Sequence, residues 1–330
     1  MPSNSKAPTV NKLLEAVLLN IGAIDSINLN TGKLGLSLCL FEMARCLDNE
    51  SLEEIAFELL KEVLALRHKK RRAKSMEIGF VLLYLIEYKF IDADFDDLFS
   101  EDIERLISGI RASAPNSMQE LVFIPFLVLF WNLKKENNIY QLASDILYDV
   151  SMSLEKLFSK VQNERFIPTS HILINSFRYY LNFASLLPDY TIPHSLLISY
   201  FTLYNQGKIP NCFSTGFLLE KQGAKDYIET MQEKGVQNIY PNILTLAQRI
   251  DLLYLLNQTK DKRYEKQILL LEKDLFDFNN PHYEKDLIQS IPANSLIAGY
   301  GFGIARLLLY WVYKENKRKD EDCSRFKYLF

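Results

Sequence analysis

The stretch Leu29–Leu47 reads L-N-T-G-K-L-G-L-S-L-C-L-F-E-M-A-R-C-L, and from Leu34 to Leu40 only small residues interrupt its apolar run. A run of this kind suits a helix packed on most of its sides, because a surface helix needs a polar face. Gly32 and Gly35 stand at its mouth, where a missing side chain lets another backbone or a ligand approach the helix start. The pattern returns in Met76–Tyr88 (M-E-I-G-F-V-L-L-Y-L-I-E-Y) and in Ile297–Trp311 (I-A-G-Y-G-F-G-I-A-R-L-L-L-Y-W). Each recurrence follows a more ordinary amphipathic segment, so the constraint is on architecture before chemistry.

Glycine and proline are sparse, 12 and 11 in 330 residues, and β-branched residues rarely alternate with polar ones. Both facts predict an all-α protein. Hydrophobic residues make up 48 % of the chain, enough for a large core. A formal net charge of −3 argues against a general nucleic-acid binder, which carries a strongly basic face. No stretch is apolar for long enough to span a membrane, and the N-terminal M-P-S-N-S-K-A-P-T-V lacks the layout of a secretory signal. Four cysteines without framework spacing point to reduced thiols and a cytoplasmic setting.

Along the chain, buried helices are expected to begin near residues 32, 76, 120, 170, 211, 242 and 298, with amphipathic helices between them. Among the segments are Val10–Ile21, Asn30–Leu47, Leu52–Arg67, Ser75–Phe90, Leu121–Leu133, Ile139–Phe158, Pro168–Leu187, Pro241–Leu256 and Pro292–Tyr313. The spacing is about 45 residues, as in an array of helical hairpins. An open array needs polar caps at its ends. Here the first and last buried helices share the glycine-led pattern, which favours a closed double ring, an α/α toroid forming one domain over residues 1–330. The charged tail 314–330 is expected to fray. The basic run His68–Lys74 reads as a solvated loop, since no aromatics interleave with it. Asp92, Asp94, Asp96 and Asp97 read as loop and cap, because the glycine and distal glutamate of a calcium loop are missing.

L-N-T-G-K-L-G-L-S-L-C-L-F-E-M-A-R resembles the opening hairpin of the lanthionine synthetase C-like family. I-G-F-V-L-L-Y-L-I-E-Y-K-F-I-D-A-D is similar to its second hairpin, and S-L-I-A-G-Y-G-F-G-I-A-R-L-L-L to its last. The resemblance implies an α/α toroid whose mouth holds a zinc ion. There the metal activates a peptide cysteine, which adds to a dehydrated serine or threonine to form a thioether. The family's ligands are a cysteine opening the fifth inner helix and a Cys-His pair opening the sixth. Cys212, in P-N-C-F-S-T-G, stands where the first ligand would stand, whereas the sixth hairpin opens Tyr240-Pro241-Asn242-Ile243. One ligand of three does not make a zinc site, so no cofactor is expected unless further ligands exist. Cys39 and Cys46 read as core packing. The family's catalytic histidine falls at His171, in Thr169-Ser170-His171-Ile172, without its flanking glycines, and the third-hairpin aspartate falls at Glu120. His171 reads either as an acid or base or as a histidine lining a helix mouth, with the second favoured. Glu120 reads either as its charged partner or as a first-turn carboxylate.

The resemblance therefore implies a degenerate member that binds or presents a peptide, or a peptide-maturation enzyme, without making thioethers. An active peptide cyclase is the alternative. A sugar-acting enzyme on an α/α toroid is the second alternative and would need a pair of acids that Glu120 alone does not supply. No phosphate-binding glycine loop, Gly-x-Ser-x-Gly elbow or His-Glu-x-x-His stretch points elsewhere.

Overall fold

The computed structural model describes residues 7–66, 72–99, 103, 107–108, 121–163, 170–206, 208, 245–258, 262–277, 279–293 and 295–330. Among these residues every regular element is helical, as expected of an all-α chain. The α-helices are α1 (Ala7–Asn20), α2 (Lys33–Leu47), α3 (Glu50–Ala65), α4 (Arg72–Glu87), α5 (Ile124–Lys134), α6 (Asn137–Asn163), α7 (Ser170–Ala184), α8 (His194–Asn205), α9 (Leu246–Gln258), α10 (Glu265–Leu275), α11 (Tyr283–Gln289) and α12 (Ile304–Arg318). The chain divides into two compact units, Met1–Asp92 with Tyr240–Phe330, and Ala93–Ile239.

In the first unit α2 is the central element. Every residue from Leu34 to Ala44 is buried, including Ser37 and Glu42. The helix stops where Asp48 turns left-handed (φ 53°) with its N–H on Ala44 O. Asn49 then caps α3, its side-chain oxygen accepting from Leu52 N–H at 3.1 Å. The two-residue turn folds amphipathic α3 onto α2, where Ser37 Oγ donates to Ala56 O at 2.7 Å. On its other sides α2 meets α4 and α12, and α9 lies against both α12 and α10. The alternation is physical: α9 is buried from Leu246 to Leu256 save Gln248, whereas α10 buries only Leu271 and Leu275. Glu265 opens α10 and Lys273 closes it, as its dipole favours.

In the second unit α5 is buried from Ile124 to Phe130 and has Pro125 in its first turn, where a missing N–H costs nothing. Lys135 (φ 57°) ends it, and amphipathic α6 doubles back onto it. The core there is aromatic: Phe177 lies between Phe158 at 5.3 Å and Tyr200 at 4.6 Å, linking α6, α7 and α8. Asp94 caps the turn at 95–99, its Oδ1 accepting from Asp96 N–H at 2.7 Å, and Asp96 pairs with Lys134. For Asp94 this is the capping role read from the sequence.

Three expectations need correction. The last buried helix begins at Ile304, twelve residues after Pro292, because residues 295–303 form turns packed through Gly299 and Gly303 against neighbouring backbone and through Gly301 against the Asn30 side chain. Gly79 lies inside α4 and not at its mouth. The tail 314–330 does not fray: α12 continues to Arg318, a 3₁₀ helix spans Ser324–Tyr328, and Phe326, Tyr328, Leu329 and Phe330 are buried. The buried helix expected to begin near residue 211 lies outside the described residues.

Candidate functional site

The residues singled out in the sequence divide sharply. Glu120, Cys212 and Tyr240–Ile243 lie outside the described residues, as does the run from His68 to Arg71. His171 is the second residue of α7. His194 and His282 are exposed at the starts of α8 and α11. Among the described residues no group of three or more histidine, cysteine, aspartate or glutamate side chains could hold a metal ion.

What the first unit does bring together is a pair of glycine-led helix openings and a set of buried charges beneath them. Gly32 and Gly303 precede α2 and α12 in closely similar extended conformations (φ −131°, ψ −176° and φ −111°, ψ −160°). Lys33 N–H donates to Ser26 O at 2.8 Å and Ile304 N–H to Ile297 O at 2.7 Å, the same span of chain in both. The two loops also grip each other. Gly301 N–H donates to Asn30 O at 2.9 Å, and a Cβ on Gly35 would overlap Leu29 O and sit 2.6 Å from Tyr300 Cβ. The glycines at these mouths therefore admit neighbouring backbone of the same chain.

Below the openings, Glu42 is completely buried. Arg325 donates to it twice, Nε to Oε1 at 2.8 Å and Nη2 to Oε2 at 2.9 Å, and Tyr84 O–H donates to Oε1 at 2.5 Å. A fork-to-fork arginine–carboxylate pair is the strongest geometry for such a contact. Burial alone would lower the Arg325 pKa, but the hydrogen bonds and charge of Glu42 outweigh it and raise the value. Burial and Glu42 together push the Tyr84 phenol well above its ordinary range. A second pair lies on α9 and α12, where Arg306 Nε donates to Asp251 Oδ1 at 2.9 Å. Arg306 Nη1 and Tyr300 O–H both donate to Leu329 O, at 3.2 and 3.1 Å. Burial raises Tyr300 to about 12, with Arg306 opposing. Cys39 Sγ rests on Ala305 O at 3.4 Å, and burial followed by Glu42 raises its pKa, which leaves it an inert core thiol.

A scan against protein-family models found no match, and searches of curated proteins and of solved structures found none either.

Both oxygens of Glu42 are engaged, and Asp251 is held by Arg306, so these groups serve as anchors and not as an acid–base pair. They anchor the segment that follows α12. Sequence reasoning passed over them, yet a signal was present. Glu42, Asp251 and Arg306 are charges set beside runs of apolar residues within buried stretches of their helices, and a charge so placed requires a partner.

Proposed function

We propose that this chain is a degenerate lanthionine synthetase C-like protein, an α/α toroid that binds or presents a peptide or a peptide-maturation enzyme and makes no thioethers. The observation that carries the reading is the side-by-side packing of α2 and α12 through matching glycine-led openings. A ring of hairpins requires its first and last inner helices to meet in this way. The alternation of buried and amphipathic helices along α2–α3 and α9–α10 supports it, as does the likeness of three hairpins to the family's motifs. The loss of the Cys-His pair, with Pro241-Asn242 in its place, supports binding without cyclisation.

The test is incubation of the full chain with a dehydrated, cysteine-containing peptide, followed by two measurements. Binding is read by fluorescence anisotropy, and cyclisation by loss of the peptide's alkylatable thiol. Binding with the thiol retained is the expected result. Thiol loss that disappears in Cys212→Ala would establish an active cyclase instead, and no binding at all would remove the peptide-handling role.

A further inference from the structure

Residues Lys317–Asp322 are exposed in an unbroken run, with Asp320 left-handed (φ 60°). The segment beyond them turns back and buries Arg325, Phe326, Tyr328, Leu329 and Phe330. Among the described residues its backbone-to-backbone hydrogen bonds stay local: Phe326 N–H to Cys323 O, Leu329 N–H and Phe330 N–H to Phe326 O. It is held by the groove through side chains and one carbonyl. Arg325 enters the Glu42 carboxylate, Leu329 O takes Tyr300 and Arg306, Phe326 meets Tyr313 edge-on at 5.5 Å, and Phe330 stacks on Tyr254 at 4.7 Å.

A contact surface of tyrosines, an arginine and a carboxylate has the composition of a recognition site more than of a domain core, which is chiefly aliphatic. The buried carboxylate also sets a demand: whatever fills the groove must supply a cation to Glu42, ideally a guanidinium that matches both oxygens. Much of the gain from burying the segment's apolar side chains is offset by the conformational freedom lost in ordering it. Local opening at the exposed hinge is therefore far less costly than unfolding α2 or α12.

We infer that the groove lined by Glu42, Tyr84, Tyr254, Tyr300, Arg306 and Tyr313 is a peptide-binding site, filled here by the chain's own residues 325–330. It accepts in their place a partner segment with an arginine followed by aromatic residues. The strap and the partner compete, so occupancy by a partner releases residues 323–330. The inference deepens the peptide-handling reading by naming the peptide class, but the exchange itself is measured without any cyclase substrate, so either can fail alone.

The experiment uses a fluorescein-labelled peptide with the sequence of residues 322–330 and the full chain carrying Arg325→Ala, with its fold verified by circular dichroism. The peptide should bind this variant saturably and at least tenfold more tightly than wild type, whose own strap competes. Binding should vanish when the peptide's arginine is replaced by alanine, or when the chain also carries Glu42→Gln. Absence of binding to the folded Arg325→Ala chain overturns the proposal. Should that variant not fold, a single recognition site for a sequence-specific protease is inserted after Asp320 of the wild-type chain and cleaved there. Excess labelled peptide should then replace the nicked segment while the rest stays helical. Retention of the segment until global unfolding, or equal replacement by the arginine-free peptide, overturns it.

Discussion

Arg325 meets both carboxylate oxygens of Glu42, at 2.8 and 2.9 Å, across 283 residues of chain. Glu42 sits in the middle of α2 with no exposed surface, so its charge is tolerable only because a guanidinium and the Tyr84 hydroxyl surround it. The pair joins the segment after α12 to the first glycine-led helix.

Removing one member of such a pair leaves the other buried and uncompensated. Arg325→Ala is expected to lower the unfolding free energy by about 3 kcal/mol, because the loss of a buried partner costs more than the pair contributes. Urea denaturation of Arg325→Ala, Glu42→Gln and the double variant checks this. The double variant should lose clearly less than the sum of the singles, and a strictly additive result would show that the two side chains do not act as a pair.

Gly35→Ala is expected to destabilise although alanine is the better helix former by about 1 kcal/mol. Its Cβ would overlap Leu29 O and lie 2.6 Å from Tyr300 Cβ, so the loop before α2 and the Gly299–Gly303 loop must move apart. Overpacking of this kind costs about 1–3 kcal/mol or more. Gly22→Ala is the control, since nothing lies within 4 Å of its added methyl, and its melting temperature should match wild type.

Alkaline pH is expected to loosen the first unit. Burial raises the Cys46 thiol from 9.0 to about 11 with Lys319 opposing, and raises the Tyr300 phenol from 10.0 to about 12. Each group is held in its protonated form by the fold. The stability it contributes is complete below its unfolded value, near pH 9 for Cys46 and pH 10 for Tyr300. It is lost as pH rises toward the folded values, about 11 and about 12. Tyr300 ionisation also removes the proton it donates to Leu329 O, so the strap should release with it. Denaturant midpoints from pH 8 to pH 12, with tyrosine absorbance followed in parallel, should fall through this window. A midpoint constant to pH 12 would contradict the prediction.

Protein purified without chelator is expected to contain far less than one zinc per chain, with no change in Cys212→Ala. A catalytic zinc needs about three protein ligands, and under the proposed lanthionine synthetase C-like reading the sequence offers only Cys212. Metal analysis of both samples decides the matter: one zinc per chain that is lost with the alanine would restore the cyclase reading.

Much of the helical layout was legible in the order of residue types. The apolar stretch Leu34–Leu40 reads as a buried helix, and Asn49 before the striped Leu52–Val63 reads as the start of an amphipathic one, because both follow from local periodicity and capping. The candidate chemistry was less legible, since a residue such as His171 acquires a role only from what surrounds it. The end of the chain was misread for the same reason. K-E-N-K-R-K-D-E-D has the composition of a solvated tail, and composition is all that neighbouring residues reveal. Glu42, Tyr300 and Tyr254 lie far away along the chain, and only the folded arrangement of α2, α9 and α12 turns Arg325 and Phe330 inward. Helix and cap depend on interactions a few residues apart, whereas the burial of a charge depends on a partner that the backbone must first bring to it.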